Sequence, residues 1–144
     1  MKNLFCVLLV YLLFPMPIMA NENVLHRIIG AWTLNGADQY FGGKMKISNC
    51  NDMECDFKLE SWYDLHICDV EGKLILNNDI SVIYTDKYPM YNKKQGWDYL
   101  ATVGIIFELL QDGSLNAKYL NSDSYHAFCG MSATVEGLWL RQQD

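Results

Sequence analysis

The sequence predicts an antiparallel all-β protein, a small barrel of about eight strands. Three observations point there. Short runs of strand-forming residues with period-two alternation recur along the chain; turn signals such as Asn35-Gly36 and Asp112-Gly113 separate them; and no stretch beyond the first twenty residues sustains a helical period. Closing such a sheet buries one face and removes both edges. A two-sheet β-sandwich is the alternative that the same pattern allows. An eight-stranded barrel leaves room inside for side chains or for one small ligand.

The chain opens on a different signal. Lys2 precedes the apolar run Leu4–Phe14, Pro15 and Pro17 follow, and the small residue Ala20 comes just before the polar Asn21-Glu22-Asn23. A charged start, an apolar middle and a small residue at the cut describe a secretory signal peptide over residues 1–20. A membrane span needs about 20 unbroken apolar residues, more than this proline-interrupted run offers. Cys6 lies too early to serve as a lipid-attachment cysteine. The expected mature domain is therefore residues 21–144, with no membrane anchor after cleavage and a periplasmic or secreted location.

Within that domain the elements follow in order. Ile28–Leu34 reads as the first strand and stops at Asn35-Gly36; Gly42-Gly43 opens the alternating Lys44–Ser48. Asp56–Glu60 and Leu65–Val70 alternate again, Glu71-Gly72 is expected to turn the chain into Lys73–Leu76, and Asn77-Asn78-Asp79 leads into Ile80–Tyr84. Thr85–Tyr99 reads as the longest connection. Leu100, Val103, Phe107 and Leu110 fall near helical spacing with Asp98 as a cap, but Thr102-Val103, Ile105-Ile106-Phe107 and the Asp112-Gly113 turn favour a strand. Leu115–Tyr119 returns, Ser122–Tyr125 reads as a polar turn leading into an aromatic strand start, and Ala133–Arg141 is the last strand.

Charge and cysteines bound the function. The chain carries a net charge of −6, or −7 once Lys2 is removed. That balance excludes general nucleic-acid binding, which works by neutralising phosphates with Lys and Arg, and it favours a cationic partner. Four cysteines remain after cleavage, and an even number in an exported chain reads as two disulfides with three possible pairings. Cys50–Cys55 and Cys68–Cys129 are the pairing expected here, the first closing a short polar turn and the second tying the middle of the chain to its end. On the loop-entropy picture they contribute about 2 and about 4 kcal/mol.

No pattern calls for a metal, a cofactor or catalysis. The cysteines lack close-pair spacing, His26, His66 and His126 are scattered, and Asp52, Glu54 and Asp56 surround Cys55 where a calcium loop would need a glycine turn. There is no Gly-x-Ser-x-Gly elbow. Asp64 and His66, two residues apart on an expected strand, would share a face as a hydrogen-bonded surface pair. Thr85–Tyr99 is where contact chemistry gathers: Tyr88, Tyr91, Trp97 and Tyr99 are interleaved with Lys93 and Lys94, a composition suited to a binding surface or to a lid over a barrel mouth.

Two resemblances add expectations. Gly30-Ala31-Trp32 on the first strand with Arg141 on the last resembles the lipocalin and wider calycin pattern, and Thr85-Asp86-Lys87-Tyr88-Pro89-Met90-Tyr91 resembles its second motif with one residue inserted. That resemblance implies that Trp32 plugs one barrel end under the Arg141 guanidinium, both of them structural, and that the protein carries a small apolar ligand. Ser48-Asn49-Cys50, Cys55-Asp56-Phe57 and Phe128-Cys129-Gly130 resemble small periplasmic barrels of the lysozyme-inhibitor type. In one such class a loop bearing a Ser and a Tyr enters the lysozyme cleft, which implies a role for Ser122 and Tyr125 and a cationic partner such as a lysozyme. The sequence thus leads to an exported binding protein without catalysis, with a lipocalin-like carrier as the alternative.

Overall fold

The computed structural model describes residues 23–129 and 133–143, so the expected leader and its cleavage site lie outside the described residues. Asn23 caps a single-turn helix, α1 (Val24–Arg27), by accepting the Leu25 N–H at 3.1 Å. Eight strands follow: β1 (Gly30–Leu34), β2 (Phe41–Ser48), β3 (Glu54–Tyr63), β4 (His66–Asn78), β5 (Ser81–Asn92), β6 (Trp97–Leu109), β7 (Leu115–Tyr119) and, after helix α2 (Ser122–Phe128), β8 (Gly137–Arg141). Each strand pairs antiparallel with the next, and β8 returns to β1 through Trp32↔Arg141, Thr33↔Leu140 and Leu34↔Trp139. The architecture is a closed eight-stranded barrel, not a sandwich, braced by Cys50–Cys55 and Cys68–Cys129.

Alternation decides which way each strand faces. On β3, Cys55, Phe57, Leu59 and Ser61 point inward, while Lys58 and Glu60 point to solvent. Inward residues meet in rows around the barrel, such as Trp32, Met45, Leu59 and Val70. Trp32 and Trp139 are fully buried, and each gives its indole N–H to the carbonyl four residues earlier, Ile28 and Val135, at 3.0 Å. Gly43 makes room for the Trp139 ring: a Cβ there would lie 2.6 Å from it. Phe57 stacks edge-on with Tyr84 and Phe107 (ring centroids 5.1 and 6.1 Å apart), so aromatic side chains fill the middle of the barrel.

Several local expectations need correction. Glu71-Gly72 does not turn the chain; β4 runs straight through it, and Gly72 faces inward, where the Tyr84 ring occupies the space its side chain would take. Thr85–Tyr99 is not a connection but most of a long β5–β6 hairpin, paired from Ser81↔Glu108 to Asn92↔Trp97. Asp64 lies in the two-residue turn between β3 and β4 with φ +54°, so it does not share a strand face with His66. Ser122–Tyr125 opens a helix, because Asn121 accepts both the N–H and the hydroxyl of Ser124 as an N-cap. The first strand starts at Gly30, since Ile28 closes α1, and the last at Gly137 rather than Ala133. Among the described residues no helix is long and apolar enough to cross a membrane.

Candidate functional site

Meander topology sorts the turns. The β1–β2, β3–β4 and β5–β6 turns share one end of the barrel, and α1, the Cys50–Cys55 turn and the β6–β7 turn share the other. The second end is closed. α1 buries Val24, Leu25 and Ile28 against the core, and Asn23 donates to the Asp52 carbonyl of the disulfide turn at 3.0 Å. Arg141 lies over the Trp32 ring, 4.6 Å from its centroid, and donates to the carbonyls of Ile29 and Arg27.

The first end is split. β4 pairs with β5 only near the closed end, through Ile75↔Ile83, Leu76↔Val82 and Asn78↔Ser81. Beyond Ile75 no residue of β4 pairs with β5, although both strands continue, so the barrel opens into two arms. One arm carries the β3–β4 tip and the other the β5–β6 hairpin. The Tyr84 ring lies against Gly72 at the base of the seam, and its hydroxyl donates to Asp86 at 3.3 Å. Partial burial, reinforced by the charge of Asp86, pushes the Tyr84 hydroxyl pKa up.

Helix α2 crosses the mouth between the arms. At its start Ser124 accepts the Gly104 N–H at 2.8 Å and Asn121 donates to the Thr102 carbonyl, both on β6. At its end Phe128 packs on Tyr84 (5.7 Å between centroids), and Cys129 is bonded to Cys68 on β4. The helix therefore ties the two arms together and caps the filled interior.

The candidate residues distribute over these parts. Tyr88, Trp97 and Tyr99 lie on the face of the β5–β6 hairpin that continues the barrel interior, and Tyr91 lies on the opposite face with Leu100. Trp97 stacks edge-on with Tyr99, whose hydroxyl donates to Asp123 of α2 at 3.3 Å, joining hairpin to helix. Lys93 and Lys94 occupy the hairpin turn, both exposed. Ser122 is exposed on the first turn of α2, and Tyr125 packs against Tyr119 (5.7 Å between centroids) instead of projecting outward. Tyr91 and Leu100 remain 60% and 67% exposed.

Sequence reasoning missed the other arm. Tyr63, Leu65 and Ile67 at the β3–β4 tip are exposed, Leu65 to 89%, and Tyr40 stands beside them where its carbonyl accepts the Asp64 N–H. The signal was available in Cys68: a cysteine bonded into the interior sets the phase of β4 and sends its neighbour Ile67 outward. Around both arms stand Asp38, Asp64, Asp69, Asp86, Asp98 and Asp123, none of which has an ion-pair partner among the described residues. Backbone N–H groups of Phe41 and Tyr40 hold Asp38 below the usual carboxylate range. A separate groove of about 320 Å³ lies on the outer wall, against Ala31, Lys44, Lys46, Lys58 and Glu60. Among the described residues no His, Cys, Asp and Glu side chains cluster as a metal site would need. Comparison with family models, with curated proteins and with solved structures gave no match.

Proposed function

We propose that this chain is an exported binding protein that meets a cationic protein surface, of the kind a lysozyme presents, with its split end. The observation that carries this reading is the coincidence there of exposed apolar side chains (Tyr91, Leu100, Leu65, Ile67) with carboxylates that lack ion-pair partners among the described residues. Apolar side chains that a small soluble domain leaves in solvent together mark a contact surface, and a ring of carboxylates steers a basic partner toward it. The aromatic filling of the barrel by Phe57, Tyr84 and Phe107 weighs against an apolar ligand carried inside.

The test is a titration of the disulfide-intact protein against lysozymes and other basic proteins, at low and at physiological salt. Binding that weakens with salt, and weakens by about tenfold or more in a Tyr91→Ala/Trp97→Ala double variant of unchanged thermal midpoint, supports the reading. Unchanged affinity in that variant rejects the hairpin as the contact. A native mass spectrum with a small-molecule adduct that departs on unfolding would favour the carrier instead.

A further inference from the structure

The seam between β4 and β5 leaves two strand edges facing one another, and they are not alike. Tyr63 and His66 close a two-residue turn, and the pair that closes such a turn is the doubly hydrogen-bonded one. From there the backbone alternates. His66, Cys68, Val70 and Gly72 turn their N–H and C=O groups to β3, while Ile67, Asp69 and Glu71 turn theirs to the seam. Gly104 fixes the phase on the other side: its N–H and C=O bond to Ser124 and Leu120, away from β5, so its partner Thr85 faces the seam, as do Lys87 and Pro89.

The β5 edge is blunted. Pro89 has no N–H to offer, and the Lys87 N–H donates to the carboxylate of its neighbour Asp86 at 2.6 Å. The β4 edge carries no such device. No described residue bonds to the seam-side backbone groups of Ile67, Asp69 and Glu71, and their side chains are exposed. The charge beside this edge is net negative: Asp69 lies directly opposite Glu60 on β3, with no cation within ion-pair distance of either among the described residues, while Glu71 is paired with Lys58 on β3 at 3.8 Å. Inward of the edge are the rings of Tyr84 and Phe128.

We propose that the free edge of β4 takes up an extended, basic segment of a partner polypeptide as an added strand. The proposal rests on the split end being the surface that meets a cationic protein, and it names the mode of contact. Backbone groups of Ile67, Asp69 and Glu71 supply the ladder. The period of two then sets the partner's pattern: basic side chains at alternate positions beside Asp69 and Glu71, and apolar ones between them facing Tyr84 and Phe128.

Amide hydrogen exchange on the disulfide-intact chain tests this, alone and with a peptide alternating arginine and valine. A peptide of the same composition with its arginines clustered serves as the control. In the free protein the amides of Ile67, Asp69 and Glu71 exchange quickly, while those of Cys68 and Val70 are protected; slow exchange at the first three shows an edge already covered and overturns the proposal. The alternating peptide slows those three amides by about tenfold or more, and the clustered one does not. Binding of the alternating peptide without that protection overturns strand addition and leaves the cationic-partner reading standing. Failure of both peptides and of basic proteins to bind overturns both. Asp69→Pro removes one seam-facing N–H without touching the β3 ladder and weakens the alternating peptide by about tenfold. Should that variant not fold, Asp69→Lys is used, and undiminished binding to it overturns the proposal.

Discussion

At the closed end of the barrel, α1 lays Val24, Leu25 and Ile28 over the floor, and Arg141 reaches across Trp32 to the carbonyls of Arg27 and Ile29. Lys73 there holds Glu54 at 3.1 Å and Asp56 at 2.7 Å, while Asp79 and Asp112 in the turns have no ion-pair partner among the described residues. At the split end, Leu65, Ile67, Tyr91 and Leu100 stand in solvent, and six aspartates have no ion-pair partner among the described residues. Both ends are made of hairpins from one meander. They differ because the β4–β5 ladder stops at Ile75, so backbone groups that would pair with a neighbouring strand are left without one there. One end is covered by α1 and bridged by Arg141, and the other leaves stretches of β4 and β5 unpaired with each other.

The largest expected effect lies in the clamp between the arms. Replacing Cys68 and Cys129 with serine should cost about 4 kcal/mol in urea unfolding, against about 2 kcal/mol for Cys50 and Cys55, because the first bridge closes the far longer loop. Equal losses would mean that α2 is held to β4 by packing alone. Next in size is Arg141→Ala at the closed end, expected to cost about 2 kcal/mol through the lost contact with Trp32 and two carbonyl bonds. A negligible change would remove the distinction in rigidity between the ends.

Acid should act on both ends by smaller steps. The Phe41 and Tyr40 N–H groups hold Asp38 low at the split end, and Lys73, then Asn49, hold Asp56 low near the closed one. A carboxyl whose folded pKa is depressed stabilises the fold above its unfolded value, about 4, and that contribution is lost as pH falls through the depressed value. Asp38→Asn and Asp56→Asn should therefore each flatten the decline of stability below about pH 4 while the rest of the curve keeps its shape. A decline as steep in either variant as in the parent would assign acid unfolding to other groups. The smallest effect is expected from Tyr91→Ala and Leu100→Ala: less than about 0.5 kcal/mol, since both side chains are exposed. A larger loss would show that the hairpin's outer face is part of the fold.

Much of the split end was hidden in the sequence for physical reasons. Thr85–Tyr99 reads as a loop because Pro89 breaks strand alternation and lysines and asparagine gather at its tip; Pro89 is tolerated because it faces the seam, where β6 needs nothing from it. Glu71-Gly72 reads as a turn because glycine most often marks one, whereas here it admits the ring of Tyr84. The helix α2 was missed because a seven-residue element held by its cap and a disulfide has too little length for a helical period to show.

What the chain determined by itself is local: the phase of each short strand, the turns at Asn35-Gly36 and Asp112-Gly113, and, through the four cysteines that follow the expected leader in a β-rich chain, a stapled all-β fold. These are contacts between near neighbours along the backbone, and alternation records them directly. Where a ladder stops, which edge is capped, and which apolar residues stay in water were decided only by tertiary structure. Each of those depends on what lies across the sheet, as the Tyr84 ring does for Gly72 and α2 does for β6, and no local period carries that information.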